Sequence, residues 1–215
     1  MADSYSAPES SHRYVLDGVR ESDRDRFLAA LFAPEPARRA LLALLAFDHE
    51  LARTSTVTRE PMLARIRLQW WRDAVAEAAS GAPPRAQPVV EVLSEIVRRH
   101  DLAPDRLIDL IDAREDALEA PLDAARVGGG LADLQLDALG VRDAATRAAA
   151  RAVTTARLTG EASERQALLS EARAAHAVID PAALPVLLPA VLMDRTFSPW
   201  RRPLALWWAA KRGRY

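Results

Sequence analysis

An all-α fold is predicted by this sequence, on three observations. Alanine, leucine and arginine, all good helix formers, dominate it, whereas isoleucine, threonine, tyrosine and phenylalanine are sparse. The prolines fall where helices should start or stop rather than inside apolar runs. No stretch alternates apolar and polar residues with the period of two that a half-buried strand needs.

Residues 1–20 begin Ser-, Ala- and Pro-rich and are expected to be a flexible segment, followed by one helical domain over 21–215. Ser22 or Asp23 can cap a first helix that runs to about Phe32. Pro34 and Pro36 open a second, from about Glu35 to Arg53, with Leu41, Leu44, Leu45, Asp48 and Leu51 on one face. Thr54 to Thr58 read as a loop. A third helix starts at Pro61 and continues to about Ala79. It is apolar on nearly every side (Met62, Leu63, Ile66, Leu68, Trp70, Trp71, Ala74, Val75) and so is expected at the centre. After a linker at Gly81 to Pro84 come Pro88 to His100 and Pro104 to Leu118, the latter turning Leu107, Leu110, Ile111 and Leu118 inward. Beyond the triplet Gly128 to Gly130, helices are expected over Leu131 to Leu139, Ala144 to Leu158, Glu164 to Val178, Pro181 to Met193 and Pro199 to Arg212.

Composition removes several function classes. With 29 basic and 30 acidic residues the net charge is -1, so no general attraction to nucleic acid is implied. There is no cysteine, which excludes disulfides, thiolate chemistry, iron–sulfur clusters and Cys-based zinc sites, and suits a cytoplasmic location. The most apolar run, Ala37 to Leu51, contains Arg38, Arg39, Asp48, His49 and Glu50 and is too short and too charged to cross a bilayer.

Several blocks carry a family likeness. Asp25 to Pro34 followed by Leu41 to Phe47, Glu60-Pro61-Met62 with Ile66-Arg67-Leu68-Gln69-Trp70-Trp71-Arg72, and Leu110 to Glu115 form one set. Leu184-Pro185, Leu187-Leu188-Pro189 and Pro203 to Trp207 close the chain. Together they resemble the squalene/phytoene synthase superfamily. That resemblance implies a single-domain helical bundle of the trans-prenyl synthase type, shortened here in its second half.

The family's enzymes join two allylic diphosphates and use two aspartate-rich DxxxD helices. Residues four apart share a helix face, so paired carboxylates can hold the magnesium ions that neutralise diphosphate. The resemblance places the first pair of metal positions at Ala52 and Thr56, with Arg53 where a further acid often stands. No DxxxD occurs between Leu158 and Pro181, where the second motif should lie. Both motifs are absent, so no catalytic residue, metal or cofactor is assigned. Phe47-Asp48-His49-Glu50-Leu51-Ala52 and the Arg67–Trp71 block look more like a non-catalytic branch that includes the mitochondrial complex I assembly factor and similar bacterial proteins.

Other candidates have plainer roles beside their chemical ones. Asp48 on an apolar face is expected to be a buried partner for an arginine such as Arg67. Asp112 and Asp116 keep the DxxxD spacing, but Arg114 lies between them, and an arginine-paired acidic face is expected. His12, His49, His100 and His176 show no metal-ligand spacing and are expected to be solvated or capping. Gly128 to Gly130 lacks the Lys-Ser/Thr of a phosphate loop. Residues 194–215 hold Arg195, Arg201, Arg202, Lys211, Arg212 and Arg214 against the single acid Asp194, together with Trp200, Trp207 and Trp208. This is the composition of a helix at a membrane interface or an anionic partner. A mixed arrangement is also open, with Leu204, Leu206 and Trp207 inside and the arginines towards headgroups.

These observations lead to a non-enzymatic assembly or scaffold factor for a membrane-associated, respiratory-type complex. It is expected in the cytoplasm, peripheral on the inner membrane. The alternatives are a structural subunit of such a complex or a degenerate prenyl transferase. Asp48, Arg67, Trp70, Trp71 and Asp112 are candidate cavity residues, with an isoprenoid or lipid as possible ligand. Trp200, Arg201, Arg202, Trp208, Lys211 and Arg212 are candidates for the membrane or partner surface. A protein partner at a membrane is expected, and no nucleic acid.

Overall fold

The computed structural model describes residues 5–57, 60–193 and 197–215. Among them it is all-α: helices and two short 3-10 turns, with no strand. The helices gather in two compact units, one made of residues 1–22 and 39–123, the other of 23–38 and 124–215.

The first unit contains α1 (Glu9–Ser22), most of α3 (Glu35–Val57), α4 (Pro61–Ser80), α5 (Pro88–His100) and α6 (Pro104–Asp116). Helix α5 packs against α1 and α4, and α4 also packs against α6. Proline at the first turn starts α4, α5 and α6 without losing a needed N–H. Gly81 stops α4 in the left-handed conformation at φ 81°, which a side chain would resist.

Three expectations change here. Of the segment 1–20, expected as flexible, residues 1–4 lie outside the described residues and 9–20 are helical in α1, where Ser11, Val15 and Val19, following Ala7, recur every fourth residue and are buried. The central helix is α3 rather than α4. Every residue from Ala40 to Asp48 is buried, whereas Met62, Leu63 and Ile66 of α4 are exposed. Helix α3 also continues through Val57 where a loop is expected. The Thr54 hydroxyl donates back to the Glu50 carbonyl at 3.1 Å, which lets a threonine stay helical. Residue 58 lies outside the described residues, as do the side chains of 55–57.

The second unit contains α2 (Arg24–Ala30), the first turn of α3, α7 (Ala124–Ala138), α8 (Ala144–Leu158), α9 (Ala162–Ala174), α10 (Leu184–Leu187), α11 (Ala190–Met193) and α12 (Arg202–Lys211). Helix α8 packs against both α7 and α9. The three consecutive glycines lie inside α7 rather than before it. A Cβ on Gly128 would sit 2.6 Å from the Thr155 nitrogen of α8, so only a hydrogen fits there. Asp133 of α7 then pairs with Arg151 at 2.6 Å and Arg147 at 3.2 Å, tying the same two helices by charge. The expected helix over Pro181 to Met193 breaks into a 3-10 turn and two short helices. Pro189 lies between these helices and has no N–H to continue the ladder.

Helix α2 is held at both ends. Ala29 packs with Leu188 and Leu206. Of the two N-cap candidates, Ser22 and Asp23, it is Asp23 that accepts from the Arg26 N–H, at 3.0 Å, and it pairs with Arg157 at 2.6 Å. Burial is the largest influence on Asp23 and pushes its carboxyl up, but Arg26 and Arg157 outweigh it and hold it below the ordinary value. Asp23→Asn should therefore lower stability by about 1 kcal/mol and Asp23→Ala by about 2 kcal/mol, since alanine loses the cap as well as the charge. Urea midpoints of the two variants check the order.

Candidate functional site

The strongest concentration of candidate residues is in the first unit. Glu50, Arg53 and Thr54 of α3 and Arg67, Trp70 and Trp71 of α4 line a cavity of about 300 Å³. Its aromatic wall is built from edge-to-face contacts. Trp71 meets Phe47 edge to face at 5.4 Å and Trp70 at 5.1 Å. Arg85 stacks over Trp70 at 5.1 Å while hydrogen-bonding Glu77 at 2.7 Å. That hydrogen bond holds the Glu77 carboxyl below its ordinary value. A second cavity of about 550 Å³ lies against α1, where Tyr14, Asp17 and Glu21 face His49, Glu50 and Arg53. Glu50 and Arg53 pair at 3.2 Å and border both cavities.

Of the five sequence candidates, Arg67, Trp70 and Trp71 line the first cavity; Asp48 and Asp112 do not. Asp48 is buried and bound to Arg114 at 2.6 Å, not to Arg67. Asp112 accepts from Arg72 Nε at 2.9 Å, and Glu115 also binds Arg72, so that acidic face is neutralised by arginine. His12 is not solvated. Its ring lies 3.0 Å from the buried Glu95 carboxylate. Thr54 is not singled out from sequence, and Glu50 and Arg53 are read there only within the lost metal motif, not as cavity residues, although they stand at the i,i+3 spacing of a helix ion pair.

The magnesium chemistry of the resembled enzymes needs carboxylates converging on this cavity. Ala52 offers a methyl, Arg53 a cation, and Glu50 is already engaged by Arg53. The side chain of Thr56 lies outside the described residues. Among the described residues no three His, Asp or Glu side chains gather as metal ligands. The groups present do not fit a magnesium–diphosphate cluster.

The surface candidates lie in the second unit, apart from Asp194 and Arg195, which are outside the described residues. Trp200, Arg201, Trp208, Lys211 and Arg212 are exposed. Arg202 is half-buried and bound to Asp25 at 2.7 Å. The mixed arrangement is corrected: Leu206 points in, but Leu204 and Trp207 are exposed.

The sequence profile of squalene/phytoene synthase matches residues 19–157. The chain belongs to the squalene/phytoene synthase family. Similar proteins include "NADH dehydrogenase (ubiquinone) complex I, assembly factor 6" of Rattus norvegicus, 34% identical over 142 residues, or 62% of this chain and 42% of the relative. The Homo sapiens protein of the same name is 31% identical over 139 residues, 60% of this chain and 41% of the relative. The chain thus spans about two fifths of the length of these relatives. The fold is similar to the squalene synthase HpnC from Alicyclobacillus acidocaldarius, with a TM-score of 0.62 at 15% identity, covering 95% of this chain and 94% of that one. That coverage runs through the second half of the chain, where shortening is expected from sequence.

Proposed function

We propose that this squalene/phytoene synthase family member is a non-catalytic assembly or scaffold factor for a membrane-associated, respiratory-type complex. One observation carries the non-catalytic half: α3 presents an Arg53–Glu50 ion pair at the cavity where prenyl transfer needs paired carboxylates. Support for the assembly half comes from the similarity to the complex I assembly factor 6 proteins. No helix among the described residues is long and apolar enough to cross a membrane, which fits peripheral attachment. The cavity beside Trp70 and Trp71 is the place for an isoprenoid or lipid tail.

Two measurements test the halves separately. Purified protein with Mg²⁺ and labelled farnesyl or geranylgeranyl diphosphate should give no prenylated product; chelator-sensitive product would overturn the non-catalytic half. Cells lacking the protein should accumulate partly assembled NADH dehydrogenase on native gels, and normal assembly there would remove the second half. Copurification with the mature complex in fixed stoichiometry would favour a structural subunit instead.

A further inference from the structure

We propose that the segment 197–215, with Arg173, is a docking surface for an anionic lipid bilayer. Helix α12 carries its residues inside out. At about 100° per residue, Leu206, Ala209 and Ala210 share one side and Leu204, Trp207, Trp208 and Lys211 the other. The small side packs on Ala29 and Leu188. The large side is open to solvent: Leu204 is 59% exposed, Trp207 48% and Trp208 47%, and Trp200 just before the helix is 70% exposed. Leaving these groups in water is unfavourable, and burial against an apolar phase recovers that free energy.

Charge decides what covers them. Residues 197–215 hold Arg201, Arg202, Lys211, Arg212 and Arg214 and no acidic side chain, in a protein whose net charge is -1. Arg201 stacks on Trp200 at 4.6 Å, Lys211 on Trp207 at 5.2 Å and Arg212 on Trp208 at 4.8 Å. Each ring therefore carries a cation beside it, the pairing suited to a boundary where indoles lie among headgroups and cations meet phosphates. Next to Trp208 is a hollow of about 350 Å³ whose lining, among the described residues, includes Arg173, Arg212, Arg214, Phe197 and Tyr215 and no acidic side chain. A lipid phosphate matches it in charge. A second copy of this face would set cations against cations, which disfavours self-association.

The assembly proposal names a protein partner. This one names a lipid surface and stands without it, because vesicles contain no protein. Flotation of the full chain with phosphatidylcholine vesicles should leave it unbound. Vesicles of equal parts phosphatidylcholine and phosphatidylglycerol should carry it up, with weaker binding at higher salt. Trp207→Ser/Trp208→Ser and Arg212→Glu/Arg214→Glu should each weaken that binding by on the order of tenfold or more, with helical circular dichroism unchanged. Arg13→Ala, an exposed residue of α1 in the first unit, should bind like the parent and serves as a control. Failure to float with anionic vesicles overturns the proposal, as does unchanged binding by both double variants. Binding to phosphatidylcholine vesicles as strong as to anionic ones, or a dimer that dissolves when Trp207 and Trp208 are replaced, would equally overturn it.

Discussion

Substituting valine for Gly128 is expected to lower stability by about 3 kcal/mol or more, among the largest effects of any single change in the second unit. The reason is distance. An added Cβ would meet the Thr155 nitrogen at 2.6 Å, the Thr155 Cα at 2.7 Å and the Thr154 carbonyl carbon at 2.9 Å. These are backbone atoms of α8 and cannot swing aside as a flexible side chain can. Helices α7 and α8 would have to separate, loosening the Asp133 pairs to Arg151 and Arg147. Gly129 provides the contrast. Its added Cβ would lie 3.6 Å from the Arg151 Cγ, an ordinary contact. Gly129→Ala should then stabilise by up to about 1 kcal/mol through helix propensity. Thermal melts of the two variants should move in opposite directions, and a loss for both would count against close packing as the cause.

Glu95→Ala should release α1. The carboxylate is only 1% exposed, and it accepts from the Ala7 N–H at 2.7 Å, faces His12 at 3.0 Å and faces Arg99 at 3.0 Å. Removing it strands a buried N–H and ends two charge-assisted contacts, for about 2–4 kcal/mol. Glu95→Gln keeps an acceptor oxygen and should cost less. Limited proteolysis ahead of residue 22 would report the release directly; a resistant Glu95→Ala protein would refute it. The same group makes the docking acid-sensitive. Burial, the largest influence, pushes the Glu95 carboxyl up, but Ala7, His12 and Arg99 together outweigh it and hold it below the ordinary value of 4.5. A carboxyl depressed in the folded state contributes stability that is complete above its unfolded value. That contribution should fade as pH drops below about 4.5 and through the folded value, and protease sensitivity of α1 should rise over the same window.

The legible parts of the fold are those with local chemical causes. Pro88 opens α5 and His100 ends it where expected, since a ring without an N–H and an apolar face can be read directly. Ala144 to Leu158 is equally plain, with Asp143 capping it. The glycine triplet misleads because isolated glycine disfavours helix, and only the presence of Thr155 across α8 explains it. Helix α1 was present in the four-residue spacing of Ala7, Ser11, Val15 and Val19, but the serine-rich start obscured it. In the site, Trp70 and Trp71 were legible as a block, whereas the Asp48–Arg114 pair joins residues from α3 and α6 that no local spacing links. For α12, periodicity separates two sides but not which faces in. Alanines packing on Ala29 decided that.

Because α2 is made early and its partners Leu188 and Leu206 are made late, the order of synthesis matters. A ribosome adding about 5–20 residues per second completes residue 123, and with it the first unit, while α2 still lacks its cover. The exposed side of Ala29 and Leu28 then waits on the order of ten seconds for the last helix to emerge. During that interval the apolar side of α2 belongs to a nascent chain that has not yet made the residues that cover it. Truncation before Leu206 would extend that state indefinitely.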